Sequence, residues 1–114
     1  MKIYITGPMS GLPEFNRPAF FKAAEEISAR GHCVLNPAIL PDGLTQHEYM
    51  DICQAMVRSA DAIFMLNRWE NSRGALAELH QARKLGLLII FQKPSATLQD
   101  INIGWLQYLP EGRS

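Results

Sequence analysis

The sequence of 114 residues has no excess charge of either sign, because eleven lysines and arginines offset eleven aspartates and glutamates. It also has no run of like charge, so neither a nucleic-acid polymer nor a lipid surface is an expected partner. The longest apolar stretch, Leu85 to Phe91, is far shorter than the ~20 residues that cross a bilayer. Met1 and Lys2 lead into a strand pattern rather than a signal peptide. We therefore expect a cytoplasmic protein without a membrane partner.

Cysteine and histidine are scarce, with two and three copies in the chain. Cys33 and Cys53 lack the CxxC or Cys/His spacing of redox and zinc sites, and we predict that both are reduced core residues. His32, His47 and His80 have no metal-ligand spacing to one another or to the carboxylates. The sequence therefore predicts no metal site.

The composition is that of a globular protein, with 47% hydrophobic and 19% charged residues. A chain of this length has room for one domain, which we place at residues 1–114. Apolar patterns alternate between the periods of strands and helices, which predicts an α/β fold with an open parallel sheet of about 4–5 strands, a flavodoxin/Rossmann-like three-layer sandwich. The predicted strands cover 2–6, 32–36, 61–67 and 87–92, and the predicted helices cover 18–30, 46–59 and 72–85.

Local signals mark the ends of these helices. Thr45 and Glu48 have the spacing of a capping box, Ser72 is an N-cap residue, and Gly86 follows the last helix. Beyond residue 92 the pattern is less regular, and we predict only a helical turn at residues 100–106.

Ligands of open α/β sheets bind outside the carboxyl ends of the strands, so the loops there are the first candidates for a functional site. The first loop contains Gly7 and Gly11, which permit close backbone approach to a ligand. It matches neither GxGxxG nor GxxxxGK[ST], which disfavours a dinucleotide site and a P-loop. The alternative is a glycine-proline turn that binds nothing.

The loop after the third strand places Trp69 beside Ser72, at the start of a helix. Such a loop can hold a polar group and a flat ring. Glu78 follows in line with Ala75 and Ala82, whose small side chains leave room for a substrate beside the carboxylate. This carboxylate is a candidate nucleophile for attack on a sugar carbon. The alternative is a partly exposed glutamate on a surface helix.

Other carboxylates have weaker signals. Asp51 lies on the polar face of the second helix, and such a face is usually solvated surface. Asp61 begins the third strand at the end away from the expected crevice, so we predict a capping or structural role for it.

Two motifs together carry a family resemblance: YITGPMSG at residues 4–11, and Trp69 followed by SRGA at 72–75 and Glu78. Over residues 3–92 the sequence resembles the nucleoside 2-deoxyribosyltransferase superfamily. Within it, the chain is most similar to a small phage and bacterial branch that is classed as a domain of unknown function (DUF4406-like). The substrate-binding residues that we infer from these motifs are Gly7, Pro8, Met9, Ser10, Gly11, Trp69, Ser72, Gly74 and Ala75.

The resemblance implies catalytic roles. It assigns Glu78 as the nucleophile at C1′ of the sugar, Tyr4 as the residue that steadies it, and Asp51 as the residue that assists the leaving base or orients Glu78. Six residues before the glutamate, the transferases carry a carboxylate that holds a sugar hydroxyl, whereas the nucleotide N-glycosidases carry a serine near the phosphate. Ser72 occupies this position here, which favours a nucleotide substrate.

The chain departs from the N-glycosidases in the first loop. Pro8 and Ser10 stand where those relatives carry a serine and an arginine for phosphate, and Arg68 or Arg73 are the candidates to replace them. The superfamily also completes its sites across subunits, which implies a homo-oligomer. An apolar group near the C-terminus could form such a contact, namely Trp105, Leu106, Tyr108 and Leu109.

The resemblance thus implies cleavage or exchange of the N-glycosidic bond in a (deoxy)nucleoside or its 5′-monophosphate, with no cofactor. A different class of function is a non-catalytic module that binds, senses or sequesters a nucleotide on the same fold. A third is an interaction protein that uses the apolar C-terminal group.

Overall fold

The computed structural model describes residues 1–92, and these form a four-stranded parallel sheet. The strands are β1 (Lys2–Thr6), β2 (Cys33–Leu35), β3 (Ala62–Met65) and β4 (Leu88–Phe91). The helices are α1 (Arg17–Ala29), α2 (Gln46–Ser59) and α3 (Arg73–Leu85). The expected α/β architecture is confirmed, with four strands in the described part of the chain.

The strands lie in the order β2-β1-β3-β4. The chain therefore steps outward from β1 to β2, returns past β1 to β3 and continues to β4. This reversal makes the gap between the carboxyl ends of β1 and β3 a topological switch point, where open α/β sheets bind their ligands. In the register of the two strands, Thr6 lies beside Met65 at that end.

Alternation along the central strands divides the core into two faces. Ile3 and Ile5 of β1 pack with Phe20 and Ile27 of α1 on one face of the sheet. Tyr4 points to the opposite face, where it packs with buried residues of α2 and α3. The sheet is thus covered by helices on both sides, which explains why β1 and β3 are buried along nearly their whole length.

Helix ends follow the sequence signals. Thr45 and Glu48 form the predicted capping box at the start of α2, with both reciprocal hydrogen bonds present. Ser72 caps α3, and Gly86 ends it in the left-handed conformation at φ 74°. Element boundaries agree with the predictions to within one or two residues. The largest difference is at the end of β3, which stops at Met65 rather than at the predicted Asn67.

Asn36 shows why β2 is short. Its side chain accepts a hydrogen bond from the backbone of Ala38 and so begins a 3-10 turn at Pro37–Ile39. Asp61 has the predicted structural role, since its carboxylate accepts the backbone N–H of Lys2 at 2.8 Å and ties the start of β3 to β1.

The prediction that both cysteines are core residues is half wrong. Cys53 is buried on α2, but Cys33 is exposed, and both are free thiols. Cys33 begins β2, and in the sheet formed by residues 1–92 β2 is an edge strand, with β1 as its neighbour on one side. A short apolar run in the sequence does not distinguish an edge strand from a central one.

A 3-10 segment before α1, Pro13–Asn16, has unusual backbone geometry. Glu14, Phe15 and Asn16 are consecutive non-glycine residues at φ 52°, 53° and 60°. Each left-handed residue of this kind is strained and persists only where surrounding contacts determine it. One such contact is the side-chain amide of Asn16, which donates to the Pro8 carbonyl at 2.9 Å.

Two expectations concern other parts of the chain. The predicted turn at 100–106 and the apolar group of Trp105, Leu106, Tyr108 and Leu109 lie outside the described residues. Among helices within residues 1–92, none is both long and apolar enough to cross a membrane.

The close approach between the first loop and β3 is testable. A Cβ added at Gly7 would lie 2.7 Å from the Cβ of Leu66, whereas one added at Gly74 would meet nothing nearer than 3.8 Å. We expect Gly7→Ala to lower the free energy of unfolding by about 1–3 kcal/mol because of overpacking, as measured by urea denaturation. Gly74→Ala is the matched control, and equal losses in the two variants would contradict the close approach.

Candidate active site

Glu78 is a buried carboxylate in the second turn of α3, with only 6% of its surface exposed. Helical spacing places it on the same side as Ala75 and Ala82, both fully within the core. The alternative of an exposed surface glutamate is therefore wrong. A glutamate this deeply buried requires partners for its oxygens.

Two hydroxyls of β1 supply those partners. The Tyr4 hydroxyl donates to Glu78 Oε2 at 2.8 Å, and the Thr6 hydroxyl donates to Oε1 at 2.6 Å. Tyr4 and Thr6 are two residues apart on a strand, so their side chains project from the same face of the sheet. Each carboxylate oxygen thus has one donor, and the group is fixed in orientation.

Burial dominates the electrostatics of this cluster. Desolvation raises the pKa of Glu78 above its ordinary value, although the hydrogen bonds from Thr6 and Tyr4 oppose the shift. Desolvation, followed by the charge of Glu78, raises the pKa of Tyr4 well above its usual range. Tyr4 consequently remains a protonated donor, and Glu78 is a more basic carboxylate than one in water.

A cavity of about 910 Å³ opens over this cluster, at the carboxyl ends of the strands. Its volume is in the range typical of small-molecule sites. The walls come from the end of β1 and the first loop, the start of α1, the segment between β2 and α2, and the first turns of α2 and α3. Charged and aromatic lining residues include Tyr4, Phe15, Arg17, Asp42, Tyr49, Arg73 and Glu78.

Most of the predicted first loop lies at the cavity. Gly7, Pro8, Met9 and Ser10 line it, whereas Gly11 does not and instead turns the chain at φ 80°. Gly7 is needed for packing as well, since its α-carbon abuts Leu66. The loop therefore serves both the fold and the cavity wall.

The start of α3 forms another part of the wall. Ser72, Gly74 and Ala75 line the cavity, and the Ser72 hydroxyl accepts the Ala75 N–H at 3.1 Å. Trp69 is not a lining residue of this chain, because its ring packs against Phe91 with centroids 5.5 Å apart.

Asp51 is placed away from this cavity. Its side chain is 63% exposed, and its carboxylate lies 3.4 Å from His47 Nε2 on the surface of α2. It is not among the residues that line the cavity. Within one chain, the fold does not bring Asp51 together with Tyr4 and Glu78.

Several residues at the site were not predicted from the sequence. Thr6 had a usable signal, because it lies two residues after Tyr4 on the same strand face. In the sequence, Tyr49 is one of several apolar residues at helical spacing in α2, which predicts a core position, yet its hydroxyl donates to the Met9 sulfur at 3.1 Å and it lines the cavity. Arg17 gave no signal, because its place in the wall depends on the path of the preceding segment.

Within residues 1–92 no group of three or more His, Cys, Asp or Glu side chains is placed to hold a metal ion. Of the two arginines considered for phosphate, Arg73 lines the cavity and Arg68 does not.

Comparison with known proteins places this geometry in a family. A family model described as a domain of unknown function, DUF4406, matches residues 1–91. The chain belongs to the DUF4406 family. A solved structure of a 2-deoxyribosyltransferase from the psychrotolerant bacterium Bacillus psychrosaccharolyticus matches the DUF4406 chain with a TM-score of 0.67 and 19% identity, covering 90% of this chain and 80% of that one. A search of curated proteins gives no significant match.

These findings confirm the resemblance to the deoxyribosyltransferase superfamily at the level of fold. The match in fold does not assign roles to individual residues of this DUF4406 chain, and these depend on the geometry of its own site.

The raised pKa of Glu78 predicts how this residue affects stability. Above its ordinary pKa of 4.5, the unfolded chain releases the proton more readily than the folded one, so the ionised carboxylate destabilises the fold increasingly as pH rises through this window. Glu78→Gln is uncharged and keeps hydrogen-bonding groups. We expect its Tm at pH 7 to be a few degrees above that of the wild type, since about 1 kcal/mol shifts Tm by roughly 4–8 °C in domains of this size.

The gain should shrink as the pH is lowered towards 4.5, the ordinary pKa of the side chain. Glu25→Gln, at an exposed position of α1, is the control and should show no comparable gain. A fall in Tm for Glu78→Gln at pH 7 would contradict the assignment of burial as the dominant effect.

Proposed function

We propose that this protein cleaves or exchanges the N-glycosidic bond of a (deoxy)nucleoside or its 5′-monophosphate, with Glu78 as the nucleophile. The observation that carries the proposal is a buried carboxylate that lines a large cavity and accepts hydrogen bonds from two hydroxyls. A structural role alone gives no reason to bury a carboxylate at the switch point of the sheet, where its burial opposes folding. The kinship with a 2-deoxyribosyltransferase fold supports the same chemistry.

In the proposed reaction, one Glu78 oxygen attacks C1′ of the sugar, and the C1′–N bond breaks with its electron pair going to the base. Tyr4 and Thr6 hold the carboxylate so that little orientational freedom is lost at the transition state. The base takes a proton from water in the open cavity. Water, or a second base, then attacks C1′ and releases Glu78. No cofactor is required.

Asp51 has no part in this scheme, since its carboxylate is exposed and pairs with His47. In this scheme the first loop and the start of α3, which line the cavity, contact the substrate through Ser10, Ser72 and the adjacent backbone. Small residues, Gly74 and Ala75, leave space beside the nucleophile.

Incubation of the purified protein with a panel of nucleosides and 5′-monophosphates, followed by chromatography for free base, tests the proposal. We expect base release by the wild type and a decrease of about 10³-fold or more in Glu78→Gln, since removal of a covalent nucleophile abolishes the main route. Glu25→Gln, on the exposed face of α1, serves as the matched control and should retain activity.

Equal base release by Glu78→Gln and the wild type would exclude Glu78 as the nucleophile. Tight nucleotide binding by calorimetry with no base released from any substrate would favour the non-catalytic binding module instead.

The burial and hydrogen bonds of Glu78 also predict how kcat/KM depends on pH. The nucleophile must be ionised, so kcat/KM should fall as the pH decreases through the raised pKa, with a midpoint above 4.5. The hydrogen bond from Tyr4 lowers this pKa, so Tyr4→Phe should move the acidic limb to higher pH. Tyr49→Phe should leave the midpoint in place, because the Tyr49 hydroxyl donates to Met9 rather than to Glu78.

Complete pH–rate profiles of the three proteins provide the measurement. If the acidic limb of the Tyr4→Phe profile has the same midpoint as the wild type, or a lower one, Tyr4 does not stabilise the ionised nucleophile.

A further inference from the structure

Arg17 lies in the wall of the same cavity as Glu78 but on a different element, at the first turn of α1. Its side chain is 31% exposed, and one terminal nitrogen lies 2.7 Å from a carboxylate oxygen of Asp42. The guanidinium also lies over the ring of Phe15, 5.3 Å from its centroid. Two neighbours thus hold this cation at the cavity.

These two contacts leave part of the guanidinium unused. Arg17 Nε is buried and has no hydrogen-bond partner among residues 1–92. Arginine binds planar anionic groups through parallel N–H donors, and a pair that engages Nε together with a terminal nitrogen satisfies both. Among residues 1–92, the hydrogen bond to Asp42 engages a terminal nitrogen and leaves Nε without a partner. An anion that accepts hydrogen bonds from both Nε and the terminal nitrogen would satisfy the donor that Asp42 leaves without a partner.

Asp42 is a weak competitor for this arginine. Its side chain is 78% exposed, and ion pairs of this kind contribute little because water and salt screen them. A phosphate monoester carries a charge of about −1.5 to −2 at neutral pH and three acceptor oxygens, so it can displace a single solvated carboxylate.

The charges of the cavity point to the kind of substrate. The ionisable lining residues of opposite sign are Arg17 with Asp42 on one side, and Arg73 with Glu78 on α3. Arg17 and Glu78 line the same cavity, so one ligand in it can contact both the cation and the nucleophile.

We propose that Arg17 binds the 5′-phosphate of a nucleoside monophosphate, taking the phosphate in exchange for Asp42, and that the substrate class is consequently 5′-monophosphates rather than free nucleosides. This inference rests on the proposed function, in which C1′ of the same molecule faces Glu78. Phe15 keeps the guanidinium in place while the anion changes. The strained backbone of residues 14–16 holds Phe15 at the rim of the cavity.

The test compares matched pairs, a nucleoside and its own 5′-monophosphate, by kcat/KM. The wild type should prefer the monophosphate. In Arg17→Gln this preference should fall by about 10²-fold, a magnitude typical of charge-assisted hydrogen bonds. Arg17→Lys keeps the charge without the paired donors and should recover part of the preference.

Asp42→Asn gives a prediction of opposite sign. It removes the competing carboxylate, so the ratio of kcat/KM for the monophosphate to kcat/KM for the nucleoside should rise by about threefold or more. Arg83→Gln, on an exposed part of α3 outside the cavity lining, is the matched control. Thermal unfolding of each variant verifies that it is folded.

Three results would overturn the inference: equal use of both substrates by the wild type, an unchanged preference in Arg17→Gln, or a loss of preference in Arg73→Gln but not in Arg17→Gln. If neither substrate is turned over, the proposed function fails separately. Calorimetric titration of wild type and Arg17→Gln with the same pairs then decides this inference, because a phosphate site predicts tighter binding of the monophosphate that Arg17→Gln abolishes.

Discussion

The contact of the Glu78 carboxylate with the hydroxyls of Tyr4 and Thr6 places an ionisable group inside the core, and the surrounding elements hold it there. β1 is a central strand, so its side chains are fixed by neighbours on both sides. α3 packs over the same face and presents Glu78 from its second turn. Because desolvation outweighs the two hydrogen bonds, the carboxylate is kept in position at a cost to stability.

The backbone of residues 14–16, in another wall of the cavity, is also in an energetically unfavourable conformation. Glu14, Phe15 and Asn16 hold left-handed backbone conformations without the freedom of glycine. Asn16 ties this segment to the first loop through the Pro8 carbonyl, and Phe15 lies beneath the guanidinium of Arg17. Unfavourable local geometry of this kind concentrates at functional sites, where tertiary contacts maintain it. The cavity thus has a buried anion on one wall and a positioned cation on another.

The first loop connects the two walls. Gly7 lets its backbone pass against Leu66 after β3, while Pro8 is bonded by Asn16 and Met9 accepts the Tyr49 hydroxyl. In this loop the chain has Pro8 and Ser10, neither of which carries a positive charge. In our proposal the cation that binds the phosphate is Arg17, at the start of α1, and the first loop forms part of the cavity wall.

The sequence by itself determined the order of strands and helices along the chain and the caps of α2 and α3, because these depend on periodicity and local spacing. Local spacing also made Ser72 and Glu78 candidates for the site, whereas the candidacy of Tyr4 came from the family resemblance. Only the tertiary structure decided that Cys33 is exposed, that Asp51 lies outside the cavity, and that Trp69 packs on Phe91. It also brought Thr6 and Arg17 to the site. Burial and proximity arise from the packing of distant segments, such as β1 against α3, and local patterns in a chain carry no measure of either.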